Sequence, residues 1–328
     1  MNTGERTLIT GAAGFIGRHL ARVFVELGVP VRGLVRSDRD ASVLEAMGVE
    51  VARGDATDAR VLRSAAEKCG TVFHLAASRG RQKLSRRSYL ELNVRGAEAV
   101  GQAALAVGVR RLVLTSTATV CGGIREGPRD ETTVAPPNSS YRESRLRSEQ
   151  VLQRLHDRLG LPVVIARLPA VLGPGAIDWR PRFRAVQNGQ VRFLPRGGIT
   201  HPGDVADIVD GLRLCAEVPK IEGMRFILAA GEPITVRRLY AAIAGALDVP
   251  FSPRELPAAP FLAYLALANM AYRGAGIELP YGYTCEIMVG RIRYDISRAR
   301  NVLGFAPRYS IEESVGRTAA WMRQRQLL

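Results

Sequence analysis

The sequence predicts a doubly wound α/β fold, in which helices cover both faces of a parallel sheet, followed by a smaller C-terminal cap. Up to about residue 168, short apolar β-branched segments alternate with helical patterns, which is typical of a parallel sheet with crossover helices. A glycine-rich turn at residues 11–17 joins the first predicted strand to the first predicted helix. Beyond Pro169 the alternation loosens, and turn-rich stretches separate shorter elements. These observations place the sheet first and the cap after it.

Six strands are predicted in the N-terminal part, where short apolar runs are bounded by turn residues. They lie near residues 6–10, 30–35, 50–53, 71–75, 111–116 and 162–168. Helical patterns fill the gaps between them, for example at residues 15–27 and 89–107.

The division into domains is predicted to be interleaved. The sheet domain covers residues 1–170 and is rejoined by about residues 205–230, where the patterns at 205–216 and 225–228 fit a further helix and strand. The cap then comprises residues 171–204 and 231–328. A length of 328 residues, 47% of them apolar, is ample for one large domain or two closely packed ones.

The net charge of +15 raises the question of nucleic-acid binding. Basic residues are spread along the chain and interleave with acids, and only residues 79–87 form a basic patch. Nearly all of them are arginine, with lysine only at Lys68, Lys83 and Lys220, which indicates a compositional bias of the whole chain. We therefore expect no nucleic-acid partner.

Membrane spans and metal sites are not predicted. The longest uncharged stretch, residues 256–272, is shorter than the roughly 20 apolar residues that a spanning helix needs and contains two prolines. It predicts a buried helix or an apolar lid, although an apolar helix flanked by Arg254 and Arg273 could also lie at a membrane surface. The cysteines and histidines are dispersed, with no metal-ligand spacing. A strand-like run leads directly into the glycine turn, so a cytoplasmic location is expected.

The glycine turn carries the first chemical signal. Residues 10–17 read Thr-Gly-Ala-Ala-Gly-Phe-Ile-Gly. Glycines permit a tight turn and close backbone approach, and the N-terminus of the following helix offers free N–H groups to a pyrophosphate. We predict a dinucleotide-binding turn of a Rossmann-like fold. Its residues are Gly11, Gly14, Phe15, Ile16 and Gly17.

Further motifs follow in order along nearly the whole chain. They begin at residues 54 (Gly-Asp-Ala-Thr-Asp), 74 (His-Leu-Ala-Ala), 93 (Asn-Val-Arg-Gly), 116 (Ser-Thr-Ala-Thr-Val-Cys-Gly), 141 (Tyr-Arg-Glu-Ser-Arg), 167 (Arg-Leu-Pro), 173 (Gly-Pro-Gly), 201 (His-Pro-Gly-Asp-Val-Ala), 295 (Asp-Ile-Ser-Arg-Ala) and 303 (Leu-Gly-Phe). In these motifs the sequence resembles the extended short-chain dehydrogenases/reductases, the superfamily of NAD-dependent epimerases and dehydratases and of 3β-hydroxysteroid dehydrogenase-like enzymes. The resemblance implies a Rossmann-like domain with a substrate-binding cap, a nicotinamide dinucleotide and a small-molecule substrate, and it leaves a homodimer open.

The resemblance also implies roles for three segments on the cofactor side. An aspartate after the third strand would contact the adenine, the loop after the fourth strand would pass along the cofactor, and the asparagine motif lies on the next helix. The residues assigned in this way are Asp55, Ala56, Leu75, Ala76, Ala77 and Asn93.

The end of the second strand distinguishes between NAD and NADP. An acidic residue there would bond the 2′-hydroxyl of NAD, whereas an arginine accommodates the 2′-phosphate of NADP. Residues 34–37 read Leu-Val-Arg-Ser, so no acid stands at the strand tip. Arg36 can form charge-assisted bonds to phosphate, with Arg39 as a second candidate. NADP(H) is therefore favoured, while NAD(H) and a merely solvated Arg36 stay open.

Tyr141 and Arg145 are one helical turn apart, so the guanidinium can lie beside the phenol on one helix face. A fixed cation favours the phenolate, which makes Tyr141 a candidate proton donor to a carbonyl or acceptor from an alcohol. Thr117, just past the fifth strand, could bond the same substrate oxygen. The resemblance implies that these three residues are catalytic and that Tyr141 and Arg145 also contact the cofactor. Arg145 departs from the family pattern, which has lysine there.

The leading hypothesis is an NADP(H)-dependent oxidoreductase that transfers hydride to or from a carbonyl or secondary alcohol. The cap resembles the hydroxysteroid dehydrogenase and dihydroflavonol reductase branch, which favours an apolar, polycyclic or β-keto substrate. A nucleotide-sugar epimerase or dehydratase is an alternative, because the same scaffold serves that chemistry. A cofactor-binding sensor or scaffold with little catalysis is another, supported by the missing lysine at position 145.

Overall fold

The computed structural model describes residues 5–78, 84–122, 127–274 and 288–328. Most of the basic patch at residues 79–87 lies outside the described residues. The strands are β1 (Arg6–Thr10), β2 (Val31–Val35), β3 (Glu50–Arg53), β4 (Cys69–His74), β5 (Arg111–Thr117), β6 (Val163–Leu168), β7 (Val171–Leu172), β8 (Phe193–Pro195), β9 (Ile199–Thr200), β10 (Gly203–Asp204), β11 (Arg225–Ile227), β12 (Ile234–Thr235) and β13 (Arg254–Leu256).

The α-helices alternate with the strands in the first half and dominate the second. They are α1 (Phe15–Glu26), α2 (Asp38–Glu45), α3 (Ala59–Ala66), α4 (Arg86–Tyr89), α5 (Gly96–Val107), α6 (Ser140–Leu159), α7 (Arg180–Gln187), α8 (Val205–Glu217), α9 (Val236–Leu247), α10 (Ala258–Gly274) and α11 (Ile311–Gln324). A π-helical turn at Leu90–Arg95 joins α4 to α5, and a 3₁₀ turn at Ala118–Cys121 follows β5.

Seven parallel strands form the main sheet in the order β11, β6, β5, β4, β1, β2, β3. The direction of progression reverses between β1 and β4, and in such sheets ligands bind outside the carboxyl ends of the strands at this switch point. The glycine turn after β1 and the loop after β4 both lie there. This sheet with its flanking helices confirms the predicted Rossmann-like α/β fold.

Both faces of the sheet are buried, as a parallel sheet requires. Neighbouring residues on β1 show this alternation, because Leu8 packs in a core with α3 and α5 while Ile9 packs in a core with α1 and α8. A third apolar cluster joins α7, α9 and α11 in the C-terminal part. The strand at β11 pairs with β6, with Phe226 opposite Ala166, so the chain returns to the main sheet after residue 204.

The observed elements differ from the predicted ones mainly at their ends. For example, β4 begins at Cys69 rather than at residue 71, within the usual uncertainty of helix and strand boundaries. Of the interpretations of residues 256–272, the buried helix is wrong, whereas the apolar lid and the helix at a membrane surface stay predictions. Most described side chains of α10 are exposed and Leu265 is buried, because apolar composition alone does not specify what a helix packs against. No helix among the described residues is long and apolar enough to cross a bilayer.

Candidate active site

The glycine turn brings three segments into contact. Gly11 has a φ of +70°, and a Cβ on it would lie 2.8 Å from the backbone N of Ala76 in the loop after β4. A Cβ on Gly17 would lie 2.2 Å from the carbonyl O of Gly11. Any side chain at these two positions would therefore separate the turn from the loop or from the first turn of α1. The close packing of the turn against the loop after β4 and against α1 therefore requires glycine at both positions.

Gly14 has a different environment. It is the N-cap residue of α1 and has an extended backbone. No side chain of the described residues caps the N-terminus of this helix. The first N–H groups of α1, which include those of Phe15 and Ile16, thus have no intrahelical acceptor. A Cβ on Gly14 would approach only the O of Gly11, at 3.1 Å. This arrangement of free N–H groups beside an open glycine fits the pyrophosphate of a dinucleotide.

The side chain of Phe15 packs against other parts of the chain and does not contribute to the pyrophosphate-binding turn. Its ring packs edge-on against His19, at 5.7 Å between ring centroids, and a Cβ on Gly175 would lie 2.9 Å from it. The imidazole Nε2 of His19 lies 2.7 Å from the carbonyl O of Pro174. Phe15 therefore packs against the C-terminal part of the chain and offers the candidate site its backbone.

The loop after β4 runs beside the turn. The N–H of Leu75 donates to the O of Thr10 at 3.1 Å, and the N–H of Ala76 donates to Oγ1 of Thr10 at 3.3 Å. Leu75 and Ala76 are half-buried and Ala77 is exposed. The structure thus places all three residues along the edge where the glycine turn lies.

Asn93 ties this loop to α6. Its buried Oδ1 accepts from the N–H of Ser78 at 2.7 Å, and its Nδ2 donates to the O of Ser78 at 3.3 Å and to Oγ of Ser144 at 2.8 Å. Its own carbonyl, in the π-helical turn, accepts from the hydroxyl of Ser148 at 2.9 Å. Because its side-chain amide is already hydrogen-bonded to Ser78 and Ser144, Asn93 contributes to the candidate site by fixing the position of the loop after β4.

Arg36 and Asp55 meet at the other end of the candidate cofactor site. Nη1 of Arg36 lies 3.8 Å from Oδ2 of Asp55, and the arginine side chain is 75% exposed. The backbone N–H and the hydroxyl of Thr57 both donate to Oδ1 of Asp55, and these hydrogen bonds lower the pKa of the carboxyl group. Ala56, between them, is half-buried. The long, exposed ion pair contributes little and leaves Arg36 able to turn toward a ligand.

The three candidate catalytic residues lie on neighbouring elements. Tyr141 is in the first turn of α6, which packs against β5 and the 3₁₀ turn that follows Thr117. The Tyr141 ring is half-buried, with its centroid 6.2 Å from that of the Tyr89 ring in an edge-on arrangement. The hydroxyl of Thr117 lies 2.9 Å from that of Thr119 and also accepts from the Thr119 N–H at 3.3 Å.

Arg145 is buried one turn below Tyr141, and its Nε has no hydrogen-bond partner among the described residues. Burial lowers the pKa of this guanidinium, and the nearby Tyr141 and Glu149 oppose that effect. A buried donor without a partner is costly, and such groups concentrate at functional sites. The free Nε–H of Arg145 is therefore suited to donate a hydrogen bond to a cofactor hydroxyl at this position.

A buried network that the sequence reasoning missed supports this helix. Nη2 of Arg167 lies 2.8 Å from Oε2 of Glu149, and Oε1 of the same carboxylate accepts from the hydroxyl of Ser116 at 2.5 Å. Arg167 and Glu149 are each 1% exposed. The network holds α6 against β5 and β6, beside Thr117. The signal available in the sequence was Arg167 itself, a charged residue inside the apolar strand predicted at residues 162–168, because a buried charge requires a partner.

Comparison with known proteins shows the family. The model of the NAD dependent epimerase/dehydratase family matches residues 7–192. The chain belongs to this family. It is thus a member of a family of NAD-dependent enzymes within the extended short-chain dehydrogenase/reductase superfamily, as the motifs predicted.

Full-length relatives are found among characterised proteins. Sterol demethylase protein B of Methylococcus capsulatus is 29% identical, over 98% of this chain and 99% of that protein. A 2-alkyl-3-oxoalkanoate reductase of Shewanella oneidensis is 26% identical, over 96% of this chain and 86% of that protein. The crystal structure of gox2253 has a TM-score of 0.85 at 27% identity and covers 99% of this chain and 100% of that one.

Proposed function

We propose that this family member is an NADP(H)-dependent oxidoreductase that transfers hydride to or from a carbonyl or secondary-alcohol carbon. Its substrate is apolar and steroid-like or dihydroflavonol-like, or a β-keto acid derivative. The observation that carries the proposal is the buried, unpartnered Nε of Arg145 one turn from the half-buried Tyr141. The name of the 2-alkyl-3-oxoalkanoate reductase supports reduction of a carbonyl, and the name of the sterol demethylase protein supports a steroid-like substrate.

In this proposal the carboxyl edge of the sheet holds the cofactor. Backbone N–H groups at the start of α1 bind the pyrophosphate, and Arg36 binds the 2′-phosphate. When bound, the nicotinamide supplies or accepts the hydride. The residues assigned to the cofactor are Gly11, Gly14, Phe15, Ile16, Gly17, Arg36, Asp55, Ala56, Leu75, Ala76, Ala77, Asn93, Tyr141 and Arg145.

Tyr141 moves the proton in this mechanism, since its half-buried phenol lies one helical turn from the cationic Arg145. Thr119 can donate both its N–H and its O–H to Oγ1 of Thr117. The Thr117 hydroxyl hydrogen is then left to bond the substrate oxygen. The two hydroxyl groups thus act on one oxygen from opposite elements, α6 and the end of β5.

Arg145 can perform two of the three tasks that the family lysine is credited with. It stays cationic, and its free Nε can donate to a ribose hydroxyl. It is poorly suited to relaying a proton, because a guanidinium does not readily release one. We therefore propose an active but slow enzyme.

The test measures turnover with NADPH and a panel of ketones, β-keto thioesters and sugar nucleotides. Wild type is expected to reduce one of the carbonyl classes, and Tyr141→Phe is expected to lose about 10²- to 10⁴-fold in kcat, the usual contribution of proton transfer. Tyr89→Phe, a change in the neighbouring ring, is the matched control and keeps its activity. Arg145→Lys is expected to raise kcat.

Two outcomes would contradict the proposal that the protein is an oxidoreductase. If wild type and Arg145→Lys both bind NADPH but turn over nothing, the protein is a cofactor-binding sensor. If sugar nucleotides are interconverted without net consumption of cofactor, it is an epimerase or dehydratase, the chemistry in the name of the matching family.

A further inference from the structure

Helix α10 presents large apolar side chains to solvent. Leu262, Tyr264, Leu267 and Met270 are 36%, 65%, 62% and 67% exposed, whereas Leu265 is 5% exposed. A surface helix of a globular protein normally carries polar and charged residues on its solvent face. Residues 256–272 contain none that is charged. The exposed face of α10 is therefore of the kind that marks an interaction surface.

The exposed face is broad as well as apolar. At 100° per residue, the buried and half-buried positions Phe261, Leu265 and Ala268 share one side of the helix. The exposed positions cover the remaining arc of about 200°. They are Ala259, Pro260, Leu262, Ala263, Tyr264, Ala266, Leu267, Met270 and Ala271.

The apolar surface continues onto the short ribbon formed by β8 and β13, which ends where α10 begins. Phe193 is 52% exposed and pairs with Arg254, and Leu256 is 38% exposed. The carbonyl O of Leu256 accepts from the N–H of Arg196 at 2.8 Å. Leu256 lies two residues before α10 and Phe193 lies on the strand paired with β13, so exposed apolar side chains also occur in the ribbon that leads into the helix.

The ribbon adds positive charge to this surface. Arg192, Arg196 and Arg254 are exposed. Glu255 is the acidic residue of β13. Its Oε2 lies 3.6 Å from Nη1 of Arg237, and this arginine balances its charge. The ribbon is therefore net positive, in a chain whose formal net charge is +15.

We propose that α10 and the β8–β13 ribbon dock onto the surface of an anionic lipid bilayer. The apolar arc enters the interface between headgroups and acyl chains, and the three arginines meet lipid phosphates. Tyr264 provides the amphipathic ring that favours this depth. Among the described residues no helix is both long and apolar enough to span a bilayer, so in this proposal α10 lies along the surface.

Charge favours a bilayer over a second copy of the chain. In a two-fold dimer the same patch faces itself, which would bring arginines of the two ribbons toward one another. An anionic surface attracts all three of them instead, and each basic residue near such a surface contributes about fivefold in partitioning.

The first experiment is vesicle flotation of the full chain. Vesicles of equal parts phosphatidylglycerol and phosphatidylcholine are compared with phosphatidylcholine alone, and the protein is expected to float with the anionic vesicles. Leu267→Glu is expected to lose about tenfold or more in partitioning, because an exposed apolar anchor becomes an anion. Leu159→Glu is the matched control, since Leu159 is 63% exposed on α6. Equal flotation of both variants, or none by wild type, overturns the proposal.

The second experiment tests the arginines at constant net charge. Replacing Arg192, Arg196 and Arg254 together by Gln is expected to weaken partitioning into anionic vesicles by about 100-fold. The control replaces three other exposed arginines by Gln, Arg154, Arg158 and Arg323, and is expected to bind like wild type. If the two triple variants bind equally, net charge rather than this surface is responsible, and the proposal fails.

A tryptophan reporter locates the contact. The emission of Tyr264→Trp is expected to shift to the blue on anionic vesicles and to be quenched by brominated acyl chains, while that of Leu159→Trp is unchanged. Sedimentation without lipid completes the test. A dimer that Leu267→Glu dissociates, together with an unshifted Tyr264→Trp emission, would assign the surface to self-association and overturn the bilayer.

Discussion

At the residue scale, single charged side chains at the tips of β2 and β3 are the groups on which the proposed cofactor preference depends. The two acids nearest to Arg36 in sequence are engaged elsewhere, since Asp38 is paired with Arg53 and Asp40 accepts from the hydroxyl of Ser37 at 2.9 Å. Asp55, a third carboxylate at this tip, lies 3.8 Å from Arg36. In the proposed function Arg36 turns toward the 2′-phosphate, and this cation is the basis of the expected NADP(H) preference.

Replacing Arg36 by alanine tests the cofactor preference. Arg36→Ala is expected to weaken NADPH binding by about tenfold or more, the contribution of a charge-assisted bond, and to leave NADH binding nearly unchanged. Isothermal titration with both cofactors measures it. Arg238→Ala, a change at a 73% exposed arginine on α9, is the control. An unchanged preference for NADPH in Arg36→Ala, or tighter binding of NADH by wild type, would rule out this role.

At the scale of elements, the glycines of the first turn have two separate functions. Gly17 lets α1 pack against the turn, since a Cβ at this position would lie 2.2 Å from the carbonyl O of Gly11. A Cβ on Gly14 would lie 3.1 Å from the same oxygen and, apart from its chain neighbours, would meet no other atom of the described residues within 4 Å. A substitution at Gly17 therefore acts on folding. A substitution at Gly14 acts on the space where a ligand would approach the helix N-terminus.

This difference predicts opposite results for two similar variants. Gly14→Val is expected to abolish cofactor binding with a melting temperature near that of wild type, whereas Gly17→Val is expected to lower the free energy of unfolding by about 3 kcal/mol. Calorimetric titration and urea denaturation of both proteins separate the effects. Normal cofactor affinity in Gly14→Val would show that the turn has a structural role only.

At the scale of the whole molecule, buried histidines join segments that are far apart in the sequence. The imidazole of His201 lies 2.8 Å from the O of Ala230 through Nε2 and accepts from the N–H of Tyr294 through Nδ1 at 3.0 Å. His74 Nδ1 lies 2.9 Å from Oγ1 of Thr10, linking β4 to β1. Burial lowers the pKa of both imidazoles, and for His74, which is also close to the charge of Arg145, the pKa falls to about 3.

These histidines make global stability depend on pH. An imidazole whose folded pKa lies below its unfolded value of about 6.5 stays neutral while the unfolded chain binds a proton, so stability is complete above pH 6.5 and falls as the pH is lowered. Each such histidine is expected to cost about 1.4 kcal/mol per pH unit, and for His74 the loss continues toward pH 3. Urea denaturation at pH 7.5, 6 and 5 measures the slope. His74→Asn should reduce it by the share of one histidine, and an identical slope in that variant would disprove the assignment.

Much of the sheet domain and of the candidate site was predictable because its signals are local. The glycine turn, the tip of β2 and the Tyr141 and Arg145 pair each lie within a few residues of sequence, where strand, turn and helix periodicity operate. The resemblance then placed the more distant motifs. The interpretation of α10 as a buried helix was wrong, since an apolar segment carries no information on whether another part of the chain covers it.

By itself the sequence determined the alternation of strands and helices up to about residue 168, the glycine turn between β1 and α1, and the membership of the family, since these depend on neighbouring residues and on motif order. Only the tertiary structure decided that Asn93 is bonded to Ser78 and Ser144, that Glu149 joins Arg167, and that α10 faces solvent. Such contacts join residues far apart in the chain. They form only when the sheet and its flanking helices pack, because packing brings these distant groups together and burial makes a missing partner costly.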